Sequence, residues 1–379
     1  MSNLRRKELN EPRNKYWVYE NIKSVHVELS TLCNSICPWC PRYNNFSPNL
    51  NPNITEEVYS LERFKNDFPI CFVRQINFWT FAGDFGDPCT APDIIPILDY
   101  INKATTHSPT IKIHTNGGMK TTKFWHELGM SMNSNSYVIF SVDGLEDTNH
   151  IYRRNVKWDK LINNMRTYSN TGARAEWDYL KFKHNEHQYD EARALADELG
   201  FKIVFKNPNG FEGEPMPARD KDYNVEYYIH PADNRQIPVI EQRTKDFIEV
   251  LKVEGYDKYK DRIELLYKDK PGCITCSANH TFGDGGYEVR VNCDGTVWPC
   301  SFYGHMMKKH LDNRTVSYVH QQQAKDVFKN INNNLHDMSL KEILDGDPFR
   351  PMYDMWDDKK ILQCYDACGP SKTMDKIYA

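Results

Sequence analysis

The sequence predicts an α/β protein built on a parallel sheet, and three observations carry that reading. Strand-like and helix-like stretches alternate from Lys23 to Phe205, the alternation runs through six repeats, and a cysteine-bearing polar loop follows the first strand. Parallel neighbours need crossover connections, which are right-handed, and α/β proteins place their chemistry at the carboxyl ends of such strands. Alternation alone allows either a partial barrel or a doubly wound sheet.

Short apolar runs bounded by polar loops read as strands, and longer runs with a repeat near 3.6 residues read as helices. The first strand is expected at Lys23–Leu29 (KSVHVEL), followed by a helix near Glu56–Asn66, a strand near Arg74–Phe81 and a helix near Pro92–Lys103. Strands at Thr110–His114 and Tyr137–Val142 lead into helices at Thr121–Leu128 and Trp158–Tyr168. The series closes with a strand at Ala175–Phe182, a helix at Tyr189–Leu199 and a strand at Lys202–Phe205. Gly200, just past that helix, suits the left-handed conformation that ends many helices. From Asn207 to Lys270 the pattern gives way to polar, Pro-containing and charged sequence with one helix-like stretch, EQRTKDFIEVLKVEG. This reads as a linker, although long irregular connections also supply substrate-facing segments. The expected organisation is an amino-terminal segment over 1–22, the alternating domain over 23–206, a linker over 207–270 and a smaller α+β domain over 271–379.

At 379 residues the chain can hold more than one domain, and 40% hydrophobic with 13% aromatic content can furnish a core. The net charge of −4 shows no basic excess, so no nucleic-acid partner is expected. The amino terminus, MSNLRRKELNEPRNKYW, lacks the apolar core of a signal peptide, and no run of about 18 apolar residues occurs. No membrane partner is expected, and the expected location is cytoplasmic. Eleven cysteines in such a chain read as metal ligands rather than as a disulfide framework.

Three of them, Cys33, Cys37 and Cys40, stand in the run LCNSICPWCPR, Leu32–Arg42. Their spacing can hold three irons of a cluster and leave a fourth open to a ligand. Zinc is the competing metal, but it needs a closed set of ligands, and neither Cys nor His follows Cys40 before Cys71. With Trp39 just before the last cysteine, the run resembles the signature of the radical S-adenosylmethionine superfamily. The resemblance implies a partial (β/α)6, TIM-like barrel and a 4Fe-4S cluster on Cys33, Cys37 and Cys40, with Trp39 beside it. The amino and carboxylate groups of S-adenosylmethionine would chelate the fourth iron. In that family an electron from the cluster cleaves the sulfonium to methionine and a 5′-deoxyadenosyl radical, which abstracts hydrogen from a substrate. A donor such as flavodoxin or ferredoxin would supply the electron.

Further strand ends match the same pattern. In FAGDFGDP, Phe81–Pro88, the residues Gly86, Asp87 and Pro88 resemble the Gly-Glu-Pro element that takes the amino group of S-adenosylmethionine, with Asp one methylene shorter than Glu. Glycine lets a backbone approach a ligand and a carboxylate pairs with an ammonium, while a plain Gly-Asp turn is the alternative. The third strand ends in TNGG, where Asn116 either lines the adenosyl pocket or belongs to a turn. The fourth ends in SVDG, Ser141–Gly144, followed by LEDTNHIYRR. The resemblance sets Ser141 near the ribose hydroxyls and Arg153 on the methionine carboxylate, with Asp143 a further cofactor-facing candidate. Arg154 is expected to face solvent. Glu28 either hydrogen-bonds near the cysteine loop or is a surface charge, and HNEH at His184–His187 lacks the HExxH spacing and reads as a solvated loop.

The carboxyl-terminal part carries Cys273, Cys276, Cys293, Cys300, Cys364 and Cys368. Its run GYEVRVNCDGTVWPC reads as a hairpin turned at Asp294-Gly295. This is similar to the auxiliary-cluster domain of the twitch and SPASM group, whose hairpin carries a Gly-x4-Cys element. The gap from Cys276 to Gly295 is longer than in that group, and the last pair is Cys-x3-Cys. The implied ligands of one auxiliary 4Fe-4S cluster are Cys276, Cys300, Cys364 and Cys368, with Cys273 competing for the place of Cys276; a zinc ribbon is the alternative. Cys293 is open to either reading, and Cys71 and Cys89 read as ordinary buried or half-buried thiols.

The expected function is a radical S-adenosylmethionine oxidoreductase acting on a peptide or a small polar metabolite, the auxiliary cluster accepting an electron. The alternatives are a peptide- or protein-maturing enzyme without net oxidation and, from another class, a non-catalytic metal-binding scaffold. Because the first strand begins about two dozen residues in, no peptide-recognition domain is expected ahead of it, and a partner protein could supply that role.

Overall fold

The computed structural model describes residues 16–208, 215–232, 286–308 and 316–356, together with Cys364 and Cys368. Six strands, β1 (Ile22–Val27), β2 (Phe78–Phe81), β3 (Thr110–Thr115), β4 (Tyr137–Ser141), β5 (Arg174–Leu180) and β6 (Lys202–Lys206), pair in parallel in chain order. A doubly wound sheet would reverse its order at a switch point. Unbroken order is that of a barrel, so the chain is an α/β protein with a partial (β/α)6 barrel and a small antiparallel carboxyl-terminal part. That part is the hairpin of β9 (Tyr287–Val291) and β10 (Val297–Trp298), and β9 runs parallel to the free edge of β1. Among the described residues the main sheet therefore has eight strands. The hairpin turns at Asp294-Gly295, as expected, with Gly295 at φ 83°.

Helices α1 (Leu61–Asp67), α2 (Ile70–Val73), α3 (Ile94–Ala104), α4 (Thr122–Ser131), α5 (Asn149–Tyr152), α6 (Trp158–Ser169) and α7 (Tyr189–Leu199) connect the barrel strands. Their apolar seams, such as Ile97, Leu98 and Ile101 of α3 and Leu161, Met165 and Tyr168 of α6, are buried in the core that contains Val25, Val27, Trp79, Phe81, Ile111, Ile113, Val138, Phe140 and Trp177. Local chemistry sets the boundaries. Ser60 caps α1 by accepting from the Arg63 amide at 3.1 Å, while Val58 bridges Ser30 and Tyr59 bonds to the Leu29 carbonyl. The expected helix at Glu56 therefore starts five residues later, at Leu61. Thr121 caps α4 in the same way, and Gly200 ends α7 at φ 69°.

The alternate residues of these strands face the other way. In register they form rows such as Arg290, His26, Thr80, Lys112 and Tyr137. In a flat sheet Lys112 would stand three strand spacings, about 14 Å, from Glu288 of β9 on one side and Lys206 of β6 on the other. Both instead lie within its electrostatic reach, and His26 of β1 lies within reach of Lys112 as well. The sheet is curled with this polar face inside.

A second antiparallel pair, β7 (Met216–Arg219) and β8 (Val225–Ile229), occupies part of the stretch expected to be linker. Its polar, Pro-containing sequence hid the strands, because the residues that pack inward, Met216, Ala218 and Ile229, are too few to make an apolar run. The stretch EQRTKDFIEVLKVEG, Cys273 and Cys276 lie outside the described residues. Helices α8 (Ser301–Lys308), α9 (Val316–Val327), α10 (Leu340–Asp345) and α11 (Arg350–Tyr353) complete the described chain. Trp17 anchors the opposite terminus to them: its indole donates to the Glu288 carbonyl at 2.8 Å, and its ring packs on Phe349 and Tyr353.

Candidate cluster and cofactor site

The cysteine loop leaves β1 and crosses the carboxyl ends of the strands. Ser35 staples it: its amide donates to Cys33 Sγ at 3.4 Å, its hydroxyl lies 3.0 Å from Cys37 Sγ, and it donates to the Arg154 carbonyl at 3.2 Å. Buried Arg42 ties the loop to the one after β2, donating to the Phe85 carbonyl at 3.2 Å and pairing with Glu56 at 2.5 Å. Two side chains reach the sulfurs from other strand ends. Asn116 Nδ2 stands 3.5 Å from Cys33 Sγ, and Arg153 Nη1 stands 3.7 Å from Cys37 Sγ. Burial pushes the Cys33 thiol well above the usual range, with Asp87, Cys37 and Cys40 adding to it, and burial with Cys37 pushes Cys40 up to about 12. Such thiols ionise together only when a cation is placed among them, as in metal binding. Among the described residues no three His, Cys, Asp or Glu side chains converge as ligands of one ion. A cluster asks for less convergence, because each thiolate binds its own iron.

The loop after β2 packs backbone to backbone. A Cβ on Gly86 would lie 2.1 Å from the Ser30 carbonyl oxygen, so glycine there lets the loop rest on the end of β1. Asp87 is buried, and its carboxylate accepts from the Cys89 amide at 3.0 Å, the Thr115 hydroxyl at 3.0 Å, and the Asn116 amide and side chain at 2.8 and 2.9 Å. Those four donors take most of its acceptor capacity. Burial raises its pKa against the pull of these bonds. Asp87 thus sets the orientation from which Asn116 meets Cys33.

Asp143 is fully buried and serves Arg153. Its Oδ2 accepts from Arg153 Nε at 2.6 Å and its Oδ1 from the Leu180 amide at 2.7 Å. Burial raises this carboxyl while Arg153 opposes the shift. Arg153 is left with Nη2 unpartnered among the described residues, available for a carboxylate. Ser141 faces inward in register with Asp178, and its hydroxyl also has no partner among the described residues. Trp39 stacks on Phe46, centroids 5.2 Å apart.

Arg154 does not face solvent as expected. It pairs with Glu226 at 2.6 Å, donates to the Arg219 carbonyl at 2.9 Å and lies over Tyr227, pinning the β7–β8 hairpin beside the cysteine loop. Met216 and Ile229 of that hairpin pack with Cys37, Tyr152 and Phe182. The loop at His184–His187 is only partly solvated: Glu186 and His187 are exposed, but Asn185 is buried and donates to the carbonyls of Asp143 and Leu180, 2.9 Å each.

Glu28 is buried rather than a surface charge. It accepts from the Phe85 amide at 2.7 Å, with Arg290 Nη2 3.8 Å from its other oxygen, and burial raises its pKa to about 7 against the pull of Arg290. The fully buried Arg290 gives its close contact to Asp84, at 2.6 Å. Despite burial, Arg290 and His305 hold Asp84 well below the usual carboxylate range. The only trace of Arg290 in the sequence is a cation at an alternate position of an apolar strand.

A second group of thiols gathers on the carboxyl-terminal side. Burial raises the Cys300 thiol, and Cys364 and Cys368 lie close enough to add to the shift. The Tyr303 hydroxyl is 3.3 Å from Cys364 Sγ. The fourth expected ligand, Cys276, is outside the described residues. Cys293 lies apart from this group, buried near Glu28, Arg63 and Glu57. Cys89 is buried as expected, whereas Cys71 is exposed, because it sits on the outer side of the short helix α2.

Fold and site together define an α/β barrel protein with a thiol centre at the carboxyl ends of its strands. The chain has the fold of SuiB from Streptococcus suis, solved bound to precursor peptide SuiA, with a TM-score of 0.50 and 13% identity over 86% of this chain. It spans 65% of the length of that relative. It is also similar to SuiB bound to S-adenosylmethionine (TM-score 0.45, 13% identity, 79% of this chain and 65% of that one) and to native anSMEcpe with bound AdoMet (0.48, 14%, 88% and 82%). No family model matches the chain, and no curated protein does. Among the described residues no helix is long and apolar enough to cross a membrane.

Proposed function

We propose that the chain is a radical S-adenosylmethionine enzyme. The observation that carries this reading is the gathering of Cys33, Cys37 and Cys40 at the barrel's strand ends, with Asn116 and Arg153 reaching two of the sulfurs. Three soft thiols, Cys37 buried and Cys33 and Cys40 half-buried, suit a 4Fe-4S cluster. Arg153 has a free Nη2 for the methionine carboxylate and Ser141 a free hydroxyl for the ribose, so the donor set fits S-adenosylmethionine as well. Gly86, Asp87, Asn116, Asp143 and Trp39 complete the proposed cofactor environment. When bound, the cluster and S-adenosylmethionine supply one-electron cleavage of the sulfonium and hydrogen-atom abstraction from a substrate. The chain's own residues orient and enclose: Asp143 fixes Arg153, Asp87 fixes Asn116, and the β7–β8 hairpin pinned by Arg154 shields the cysteine loop from water.

The region 271–379 would form a domain with one auxiliary 4Fe-4S cluster on Cys276, Cys300, Cys364 and Cys368, a reading supported by the proximity of the last three. Such a cluster could take the electron left on an oxidised substrate. A peptide or a small polar metabolite is the proposed substrate. The polar inner face of the barrel supports either, and the precursor peptide held by SuiB favours a peptide-modifying reaction as the second reading. A flavodoxin or ferredoxin in the cytoplasm would serve as electron donor.

Anaerobic reconstitution with iron and sulfide should give about seven to eight irons per chain, and about four would remove the auxiliary cluster. With S-adenosylmethionine and a strong reductant the intact chain should release 5′-deoxyadenosine, and Cys33→Ala should release none. An intact, iron-loaded chain that leaves S-adenosylmethionine uncleaved overturns the proposal.

A further inference from the structure

The inner face of the barrel is charged, and nearly every charge on it is matched by the chain itself. Lys206 pairs with Asp178 at 2.7 Å, Lys202 with Glu176 at 3.6 Å and Arg290 with Asp84 at 2.6 Å. Glu288 accepts from Ser24 at 3.2 Å, and His26 is bonded to Ser301 and to the Ala82 carbonyl. Arg174 sits exposed at the far end of β5, over the Tyr137 ring. Lys112 differs. It makes no hydrogen bond or ion pair with any described residue, although burial disfavours its charge, and its ammonium lies 5.7 Å from the Phe78 ring centroid. Two positions further along β3, neither ring nitrogen of His114 has a partner among the described residues, and burial with Lys112 keeps that ring neutral.

We propose that Lys112 binds a carboxylate of the substrate inside the barrel, with His114 as the polar side chain between that carboxylate and the cysteine loop. The proposal rests on the enzymatic reading above and names the chemistry of its substrate. Lys112 is half-buried, and a partly desolvated ammonium without a hydrogen-bonded counter-ion offers its charge to a bound anion. A carboxylate suits the place better than a phosphate, because the nearby Lys206 is already paired with Asp178, and Glu176, Asp178 and Glu288 within reach of Lys112 would repel a dianion more than a monoanion. Lys112 lies four residues before Asn116, about 13 Å along the strand. A carboxylate on Lys112 therefore leaves the rest of the substrate to extend past His114 toward the thiol centre.

The test uses the full, reconstituted chain and two probes, N-acetylglutamate methylamide and its glutamine counterpart, followed by ligand-detected saturation-transfer NMR. The intact chain should bind the glutamate probe about tenfold more tightly than the glutamine probe. Lys112→Met should abolish that preference and Lys112→Arg should retain it. Equal binding of the two probes, or a preference that survives in Lys112→Met, overturns the proposal. So does inorganic phosphate displacing the glutamate probe at lower concentration than acetate does. Binding is read without turnover, so a chain that prefers the glutamate probe but cleaves no S-adenosylmethionine overturns only the enzymatic reading. A chain that cleaves and shows no preference overturns only this one.

Discussion

The two faces of the barrel strands differ more than parallel strands usually do. Strands in parallel sheets are commonly buried on both sides and read as continuous apolar runs. Here Trp79, Ile111, Ile113, Val138 and Phe140 are sealed against helices, while their neighbours Lys112, His114, Ser141 and Asp178 line a concave, half-buried surface. The outer face holds the fold together by area removed from water. The inner face is held by ion pairs and hydrogen bonds that largely cancel their own desolvation, which leaves it free to serve a ligand.

If that division holds, the largest effect belongs to the outer face. Trp79→Ala, which removes a ring packed on Phe64 and Phe68, should cost about 4 kcal/mol in urea denaturation, whereas Lys112→Met one strand away should be neutral or stabilising. A similar loss from Lys112→Met would break the comparison. Arg290→Leu is the exception on the inner side: it strands Asp84 and Glu28 without their cation and should cost about 3 kcal/mol by the same measurement.

The pH dependence sharpens the point for Glu28. Its folded pKa, about 7, lies above its ordinary value of 4.5, so its contribution is fully present below about 4.5 and is lost as pH rises through 7. Glu28→Gln should therefore gain stability relative to the parent over that window, reaching about 3 kcal/mol at its upper end. A flat difference between the two proteins would mean that Arg290 fully compensates the buried carboxylate. His26 works in the opposite sense, because burial lowers its pKa to about 3, so its share is present above about 6.5 and is lost as pH falls. The smallest effect is expected where the inner surface meets solvent. In a double-mutant cycle, Arg154→Ala and Glu226→Gln should couple by about 0.5–1 kcal/mol, as half-exposed pairs do.

Much of the site was legible because its signals are local. Three cysteines within eight residues announce a thiol centre, Asn116 and Ser141 stand at recognisable strand ends, and Asp87 and Arg153 lie in the segments that follow such strands. What escaped were residues whose meaning depends on distant partners. Ser35 looks like any serine until it meets two sulfurs and the Arg154 carbonyl, and Arg154 looks solvent-facing until the hairpin at Val225–Ile229 folds onto it. Asp143 likewise reads as a ligand-facing carboxylate, yet in the fold it is the buried counter-ion of Arg153.

By itself the sequence determined the succession of strands and helices in the barrel, the hairpin at Asp294-Gly295 and the close spacing of Cys33, Cys37 and Cys40, because periodicity, turn chemistry and motif spacing act over a few residues. Only the tertiary structure decided that β9 would lie on the edge of β1, that the sheet would curl, and that Lys112 would be left without a hydrogen-bonded partner among the described residues on its inner face. Strand pairing joins residues far apart in the chain, and curvature sets which side chains then meet across the barrel. No local pattern of residues encodes either one.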